Sequence, residues 1–339
     1  MRAFAATFAL CSLPALAQTP TPLSQQPDLP PQTSTLTVTT RLVSIDAIVR
    51  DARGDLVTDL SKDSFTLRED GHPVPIRYFN HDSDLPLTVG LLIDTSGSET
   101  EYFADEALAS DLFLQNVLRQ TPSQQPDPGV PSGRSLSVGV GDRAFIVRFD
   151  SQVLLLQPMT SSLPLLRNGL RLLDYKPDKL KGTRGGGTLL FDAIVNVSDK
   201  IVAAETGRRA LIVMTDGDDN GSRNDLFAAI RHAQSAGVAI YSILYTNEPT
   251  GYPSISSAHP SGIGVMQQIS RATGGREFIV GRPMNIHQIF SAIEDDLRSQ
   301  YRLGFTPRPS VPHRFHSLNL RSTDHRLTVQ SRTSYSTPE

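Results

Sequence analysis

Leu87 to Ser98 reads Leu-Thr-Val-Gly-Leu-Leu-Ile-Asp-Thr-Ser-Gly-Ser, an apolar run that breaks off in an acid and two alternating serines. The run is short, lacks helical periodicity and stops at a Gly/Ser turn, which predicts a buried parallel strand. Asp94, Ser96 and Ser98 then stand at its C-terminal mouth, where open α/β sheets bind ligands. Their side chains offer only hard oxygens, a set suited to Mg²⁺ or Mn²⁺ rather than zinc.

Outward from this stretch, strands alternate with helical patterns between Pro86 and Gln300, as in a doubly wound, mostly parallel α/β sheet. After the Asp94 turn, Phe103, Leu108, Leu112, Phe113 and Val117 give Glu99 to Gln120 a helical spacing, and the Pro- and Gln-rich Thr121 to Gly133 reads as a solvated insertion. Ala144 to Phe149 and Val153 to Leu156 predict an antiparallel edge hairpin turning at Asp150-Ser151. Leu163 to Leu173 reads as a helix, and Thr188, which follows Gly185-Gly186-Gly187, opens another. Ala210 to Met214 is a second apolar strand, and it too ends in a hydroxyl and an acid, Thr215-Asp216-Gly217. Helices over Leu226 to Ala236, Val265 to Ala272 and Ile286 to Arg298 alternate with strands over Val238 to Leu244 and Glu277 to Val280.

On either side the character is β. Residues 36–85 carry β-branched runs and the turns Asp51 to Asp55 and Asp70-Gly71, and residues 301–339 revert to the same pattern. The simplest arrangement packs this tail with the N-terminal β-rich module. Residues 18–35 are a Pro/Thr/Gln-rich spacer. Residues 1–17 have Arg2, an apolar stretch and a small-residue ending at Ala15 and Ala17, as a cleaved secretory signal would, and point to a secreted or periplasmic protein. Cys11, the only cysteine, falls in that leader and lacks the preceding small residue of a lipoprotein signal, so the mature chain is expected to have neither a disulfide nor a cysteine zinc site. Loss of Arg2 leaves 31 basic against 35 acidic side chains, a balance that with no basic run argues against nucleic acid. No later stretch is long enough to span a membrane.

Three loops therefore carry oxygen ligands: Asp94-x-Ser96-x-Ser98, Thr188 and Asp216. Their order and strand-loop-helix setting resemble the von Willebrand factor type A domain, a Rossmann-like fold whose metal-ion-dependent adhesion site has the pattern Asp-x-Ser-x-Ser, Thr, Asp. The leader, Val49 to Gly54, Ser64-Phe65, Glu69-Asp70-Gly71 and Tyr301-Arg302-Leu303-Gly304-Phe305 further resemble the bacterial secreted VWFA-related group of acidobacterial type. The resemblance implies that Ser96, Ser98 and Thr188 touch a metal directly or through water, and that Asp94 and Asp216 act mainly through bound waters. It also implies that Mg²⁺, with Mn²⁺ or Ca²⁺ as alternatives, binds an Asp or Glu of a protein partner, an adhesive rather than enzymatic act.

Other readings of the same residues are weaker. The glycine run lacks the Lys-Ser/Thr ending of a phosphate loop, so freedom for the backbone to deliver Thr188 is its simpler role. Asp216 to Gly221 half-imitates a calcium loop, but Phe227 stands where a bidentate Glu is needed, leaving Asp218 and Asp219 as rim charges or solvated acids. Ser96 interrupts an aspartic-protease triplet, and His313 and His316 face opposite sides of a predicted strand. A metal-assisted hydrolase would need a base that none of these loops supplies, and an envelope scaffold would use the ion only for stability.

Overall fold

The computed structural model describes residues 42–81, 85–96, 103–118, 141–173, 187–245, 262–281, 283–308 and 314–337, all within one unit spanning residues 41–339. Four strands come first: β1 (Val43–Arg50), β2 (Phe65–Glu69), β3 (His72–Val74) and β4 (Ile76–Asn80). The α/β unit then runs β5 (Leu87–Asp94), α1 (Phe103–Val117), β6 (Arg143–Phe149), β7 (Val153–Thr160), α2 (Leu163–Arg171), α3 (Leu190–Val197), β8 (Arg208–Thr215), α4 (Leu226–Ser235), β9 (Ala239–Leu244), α5 (Gly262–Thr273), β10 (Glu277–Ile279) and α6 (Ile286–Arg298). After it come β11 (Tyr301–Phe305), β12 (Phe315–Ser322), β13 (Thr328–Ser331) and β14 (Ser334–Ser336).

All eight residues of β5 are buried, because helices cover both faces of the sheet it centres. Side chains alternate between those faces. Val89, Leu91 and Ile93 join a core with Phe113 of α1 and Phe290 of α6, whose rings lie 4.8 Å apart, whereas Leu92 joins the opposite core with α3, α4 and α5. Gly90 faces that second side, where the Phe145 ring would come within 2.3 Å of any added Cβ.

The central sheet has the order β10-β9-β8-β5-β6-β7, parallel except for the β6/β7 pair. From β5 the chain moves outward to β6 and β7, then returns to lay β8 on the other side of β5. The β5/β8 pair is therefore the topological switch point, where a crevice opens outside the strand ends. The mostly parallel doubly wound fold read from the sequence is the fold observed. Boundaries differ in detail: β7 continues past Leu156 to Thr160 across register shifts near Ile146, and α5 takes in Gly262 to Gly264 ahead of Val265.

The flanking segments build two further four-stranded sheets, β13-β1-β11-β4 and β14-β12-β2-β3. β1 pairs antiparallel with β11 and β13, and β2 with β12, so each sheet draws strands from both sides of the α/β unit. The alternating Ile45, Ala47 and Val49 of β1 meet Phe65, Leu67, Leu318 and Leu320 across a third core. Among the described residues no helix is long and apolar enough to cross a membrane.

Candidate metal site at the strand ends

Asp94 ends β5 and is 1% exposed. A buried carboxylate needs donors, and it has them: Oδ1 accepts the Ser96 backbone N–H at 2.9 Å, and Oδ2 accepts the Thr215 hydroxyl at 2.7 Å. Burial nevertheless pushes the Asp94 carboxyl above its ordinary range, with the Ser96 and Thr215 bonds pulling the other way and the Asp216 charge adding to the rise.

Asp216 follows β8, whose Met214 is paired with Ile93, so the two strand ends deliver both acids to one rim. Its Oδ1 accepts the Asp218 N–H at 3.0 Å. Gly217 takes φ +86°, and a Cβ there would lie 2.4 Å from the Gly262 carbonyl oxygen, so the turn packs tightly against the start of α5. Burial and the Asp216 charge push the Asp218 carboxyl up as well.

Thr188 is buried beside this loop. Its N–H donates to Asn220 Oδ1 at 2.9 Å, and the Asn220 N–H donates back to the Thr188 carbonyl at 3.2 Å. Asp219 accepts the Phe191 N–H at the start of α3 at 3.1 Å, and Asp192 accepts the backbone N–H groups of Arg223 and Asn224. The loop after β8 is thus pinned to the start of α3 from both directions. Asp150, in the β6/β7 turn, closes the ring: its Oδ2 accepts the Thr95 hydroxyl at 3.1 Å, and its carbonyl accepts the Leu189 N–H at 2.9 Å.

Four of the five residues singled out from the sequence, Asp94, Ser96, Thr188 and Asp216, therefore sit on three loops tied to one another; Ser98 lies outside the described residues, as do Gly185, Gly186 and His313. Asp219 is a tether for α3 rather than a rim charge, since Phe191 and Ser222 both donate to it. His316 is taken up by Asp70, 2.7 Å from its Nδ1. Sequence reading missed Asn220, which looked like a calcium-loop residue, and Glu106 of α1, a single acid that nothing in its own helix marks. Glu106 is 1% exposed and its Oε2 has no hydrogen-bond partner among the described residues. Burial pushes its carboxyl up to about 7, against the Tyr245 hydroxyl and with the Asp94 charge.

Among the described residues no three His, Cys, Asp or Glu side chains are clustered to hold a metal. A metal site here must draw on hydroxyls as well as acids. The set offered by Asp94, Ser96, Thr188 and Asp216 is all oxygen, and the repulsion between Asp94 and Asp216 is relieved by a cation. The chemistry fits a small hard dication and not a soft one.

Residues 178–278 match the family model of the von Willebrand factor type A domain, a stretch containing Thr188 and Asp216. No curated protein matches the chain. Among solved structures it is similar to the von Willebrand factor type A protein from Catenulispora acidiphila, at 10% identity and a TM-score of 0.45, covering 89% of this chain and 75% of that one. It is similar to the conserved protein BatB from Bacteroides thetaiotaomicron, at 15% identity and a TM-score of 0.42, covering 62% of this chain and 97% of that one. A third likeness is to proximal thread matrix protein 1 of the mussel byssus, in a form with a zinc-occupied MIDAS motif, at 14% identity and a TM-score of 0.44, covering 69% of this chain and 50% of that one.

Proposed function

We propose that this chain, whose residues 178–278 match the von Willebrand factor type A domain, is a secreted or periplasmic binding module that captures an acidic side chain of a protein partner through a divalent ion. The unit is taken to run over residues 86–300, with Asp94, Ser96, Ser98, Thr188 and Asp216 holding the ion. Mg²⁺ is the ion best suited to the donors, with Mn²⁺ and Ca²⁺ as alternatives. The reading rests on one observation above the others. The Thr215 to Asp94, Thr188 to Asn220 and Thr95 to Asp150 hydrogen bonds hold three separate loops around one acidic rim at the sheet's switch point.

The chemistry follows from the donor set. A hard dication ringed largely by neutral hydroxyls keeps enough positive charge to take a partner carboxylate in place of a water. Ser96 and Thr188 supply such hydroxyls, while Asp94, held from behind by Thr215, keeps its orientation whatever the ion does. This is binding without turnover. The leader-like residues 1–17 support an envelope or extracellular setting.

The test is calorimetry of the full chain with Mg²⁺, followed by capture of partners from envelope extract with and without EDTA. Asp94→Ala and Ser96→Ala should abolish both metal binding and capture while the domain stays folded. Capture that is undiminished in EDTA would exclude the reading.

A further inference from the structure

A second polar site lies at the opposite end of the central sheet, where the flanking sheets meet the beginnings of β8 and β9. A cavity of 470 Å³ opens there, a volume within the range of about 300–1,000 Å³ typical of small-molecule sites. Three guanidinium groups from three segments reach it: Arg209 of β8, Arg302 of β11 and Arg332 between β13 and β14. Two carboxylates line it, Asp46 of β1 and Glu205 ahead of β8.

Both acids are already engaged. Asp46 takes the fork of Arg302, at 2.7 and 2.9 Å, and Glu205 is paired with Arg143. Arg209 and Arg332 have no carboxylate within ion-pair distance among the described residues, and the Nε of each is buried without a hydrogen-bond partner. Their remaining bonds run to neutral carbonyls: Arg209 to Glu205, and Arg332 to Gln234 and Ser44. The two cations are also close together. Arg209 Nη2 and Arg332 Nη1 lie 3.1 and 3.6 Å from the point that a Cβ on Gly237 would occupy. Burial above all pushes Arg332 down to about 10, with repulsion from Arg209 and Arg302 adding to it; Arg209 is lowered by burial and by the Arg302 charge, while Asp46 attracts both and Glu205 attracts Arg209. Arginine does not give up its proton at any working pH, so the strain stays as uncompensated positive charge.

We infer that this cavity binds a small organic oxyanion, a phosphorylated or carboxylated molecule, through the free edges of Arg209 and Arg332. Guanidinium forks match the paired oxygens of both groups. Such a ligand meets two guanidinium groups that have no carboxylate of their own among the described residues. It also ties β1, the start of β8 and the C-terminal strands together at one point, so binding stabilises the whole folded chain.

The experiment is thermal unfolding of the full chain in buffer freed of divalent ions with a chelating resin, so that the strand-end site plays no part and no soluble polycarboxylate competes. Inorganic phosphate and citrate are titrated against sodium chloride at matched ionic strength. One of the two should raise the midpoint saturably by about 3 °C or more beyond the chloride control, and the one acting at lower concentration identifies the ligand as phosphate- or carboxylate-bearing. Arg332 also ties Gln234 and Ser44, so its loss reads on folding, and the test variant is Arg209→Gln. Read against its own chloride midpoint, that variant should need at least roughly tenfold more anion for the same shift. Shifts that follow ionic strength alone, or that persist unchanged in Arg209→Gln, mean that the cavity holds only water and overturn the inference.

Discussion

Thr215 Oγ1 donates to Asp94 Oδ2 at 2.7 Å across the two central strands and accepts the Gly217 N–H at 3.0 Å. One buried hydroxyl therefore both steadies the acid that ends β5 and sets the turn that carries Asp216. Thr215→Val keeps the shape but removes both bonds, leaving a buried carboxylate oxygen and a buried N–H short of a partner. The expected loss of stability is about 1–3 kcal/mol, read by urea unfolding in EDTA. Thr215→Ser should recover most of it. A Val variant as stable as wild type, with Ser the one that loses stability, would mean that packing of the methyl group matters and the hydroxyl does not.

Asn220 is the residue whose contribution to the site is most separable from folding. It is exposed, yet its side chain and backbone both clasp Thr188. Asn220→Ala deletes the side-chain half of the clasp and frees the Thr188 loop, while little packing is lost. Mg²⁺ affinity should fall by about tenfold, in the range seen when groups that orient metal ligands are removed. The melting temperature in EDTA should move little. An affinity equal to wild type in calorimetry would remove Asn220 from the site.

The contrast between Asp94 and Asn220 shows what a sequence can and cannot disclose. The β5 run is legible because burial on both faces demands continuous apolar residues, and a strand end followed by Asp-x-Ser-x-Ser is local. Thr188 and Asp216 are legible because each also follows a strand or glycine break in its own segment. Asn220 and Asp150 are not, since their partners lie 32 and 55 residues away and a polar loop residue carries no trace of what it will touch. Glu106 escapes for the opposite reason: an acid in the first turn of a helix is ordinary there, and only packing against Tyr245 and Asp94 makes it unusual. In the flanks, the alternation in Val43 to Val49 and in Phe315 to Leu320 marks strands, but either could pair with several others, so the sheet order is decided by tertiary contact.

Glu106 gives the metal-free protein a pH dependence of definite sign. Its carboxyl stands at about 7 in the folded chain against an ordinary 4.5, so the folded state holds this proton more tightly than the unfolded state does. Stability from this group is complete below about 4.5 and is lost as pH rises through about 7. Asp296, raised to about 6 by burial, acts in the same direction over a lower window. Unfolding in EDTA should therefore show a more stable protein at pH 5 than at pH 8, with Glu106 contributing on the order of 3 kcal/mol at most. Glu106→Gln, which cannot ionise, should flatten the part of the slope above pH 5. A slope that survives intact in this variant would assign it to other groups.

Asp296 of α6 is fully buried, and Arg50 of β1 donates to its Oδ1, so one ion pair joins the flanking sheet to the last helix of the α/β unit. Its other oxygen has no hydrogen-bond partner among the described residues, and Arg276 helps to neutralise it from nearby. Such a pair stabilises little relative to apolar residues of the same size, but half a pair is costly. Arg50→Met leaves the charge of Asp296 in the core, with an expected loss of about 3–5 kcal/mol at pH 8. At pH 5 the stranded carboxyl escapes by taking up a proton, so the loss should be distinctly smaller. Arg50→Met combined with Asp296→Leu removes both halves and should regain most of the stability at pH 8. Losses that simply add in the double variant, at either pH, would show that the two residues act independently and that the junction is held by its apolar contacts.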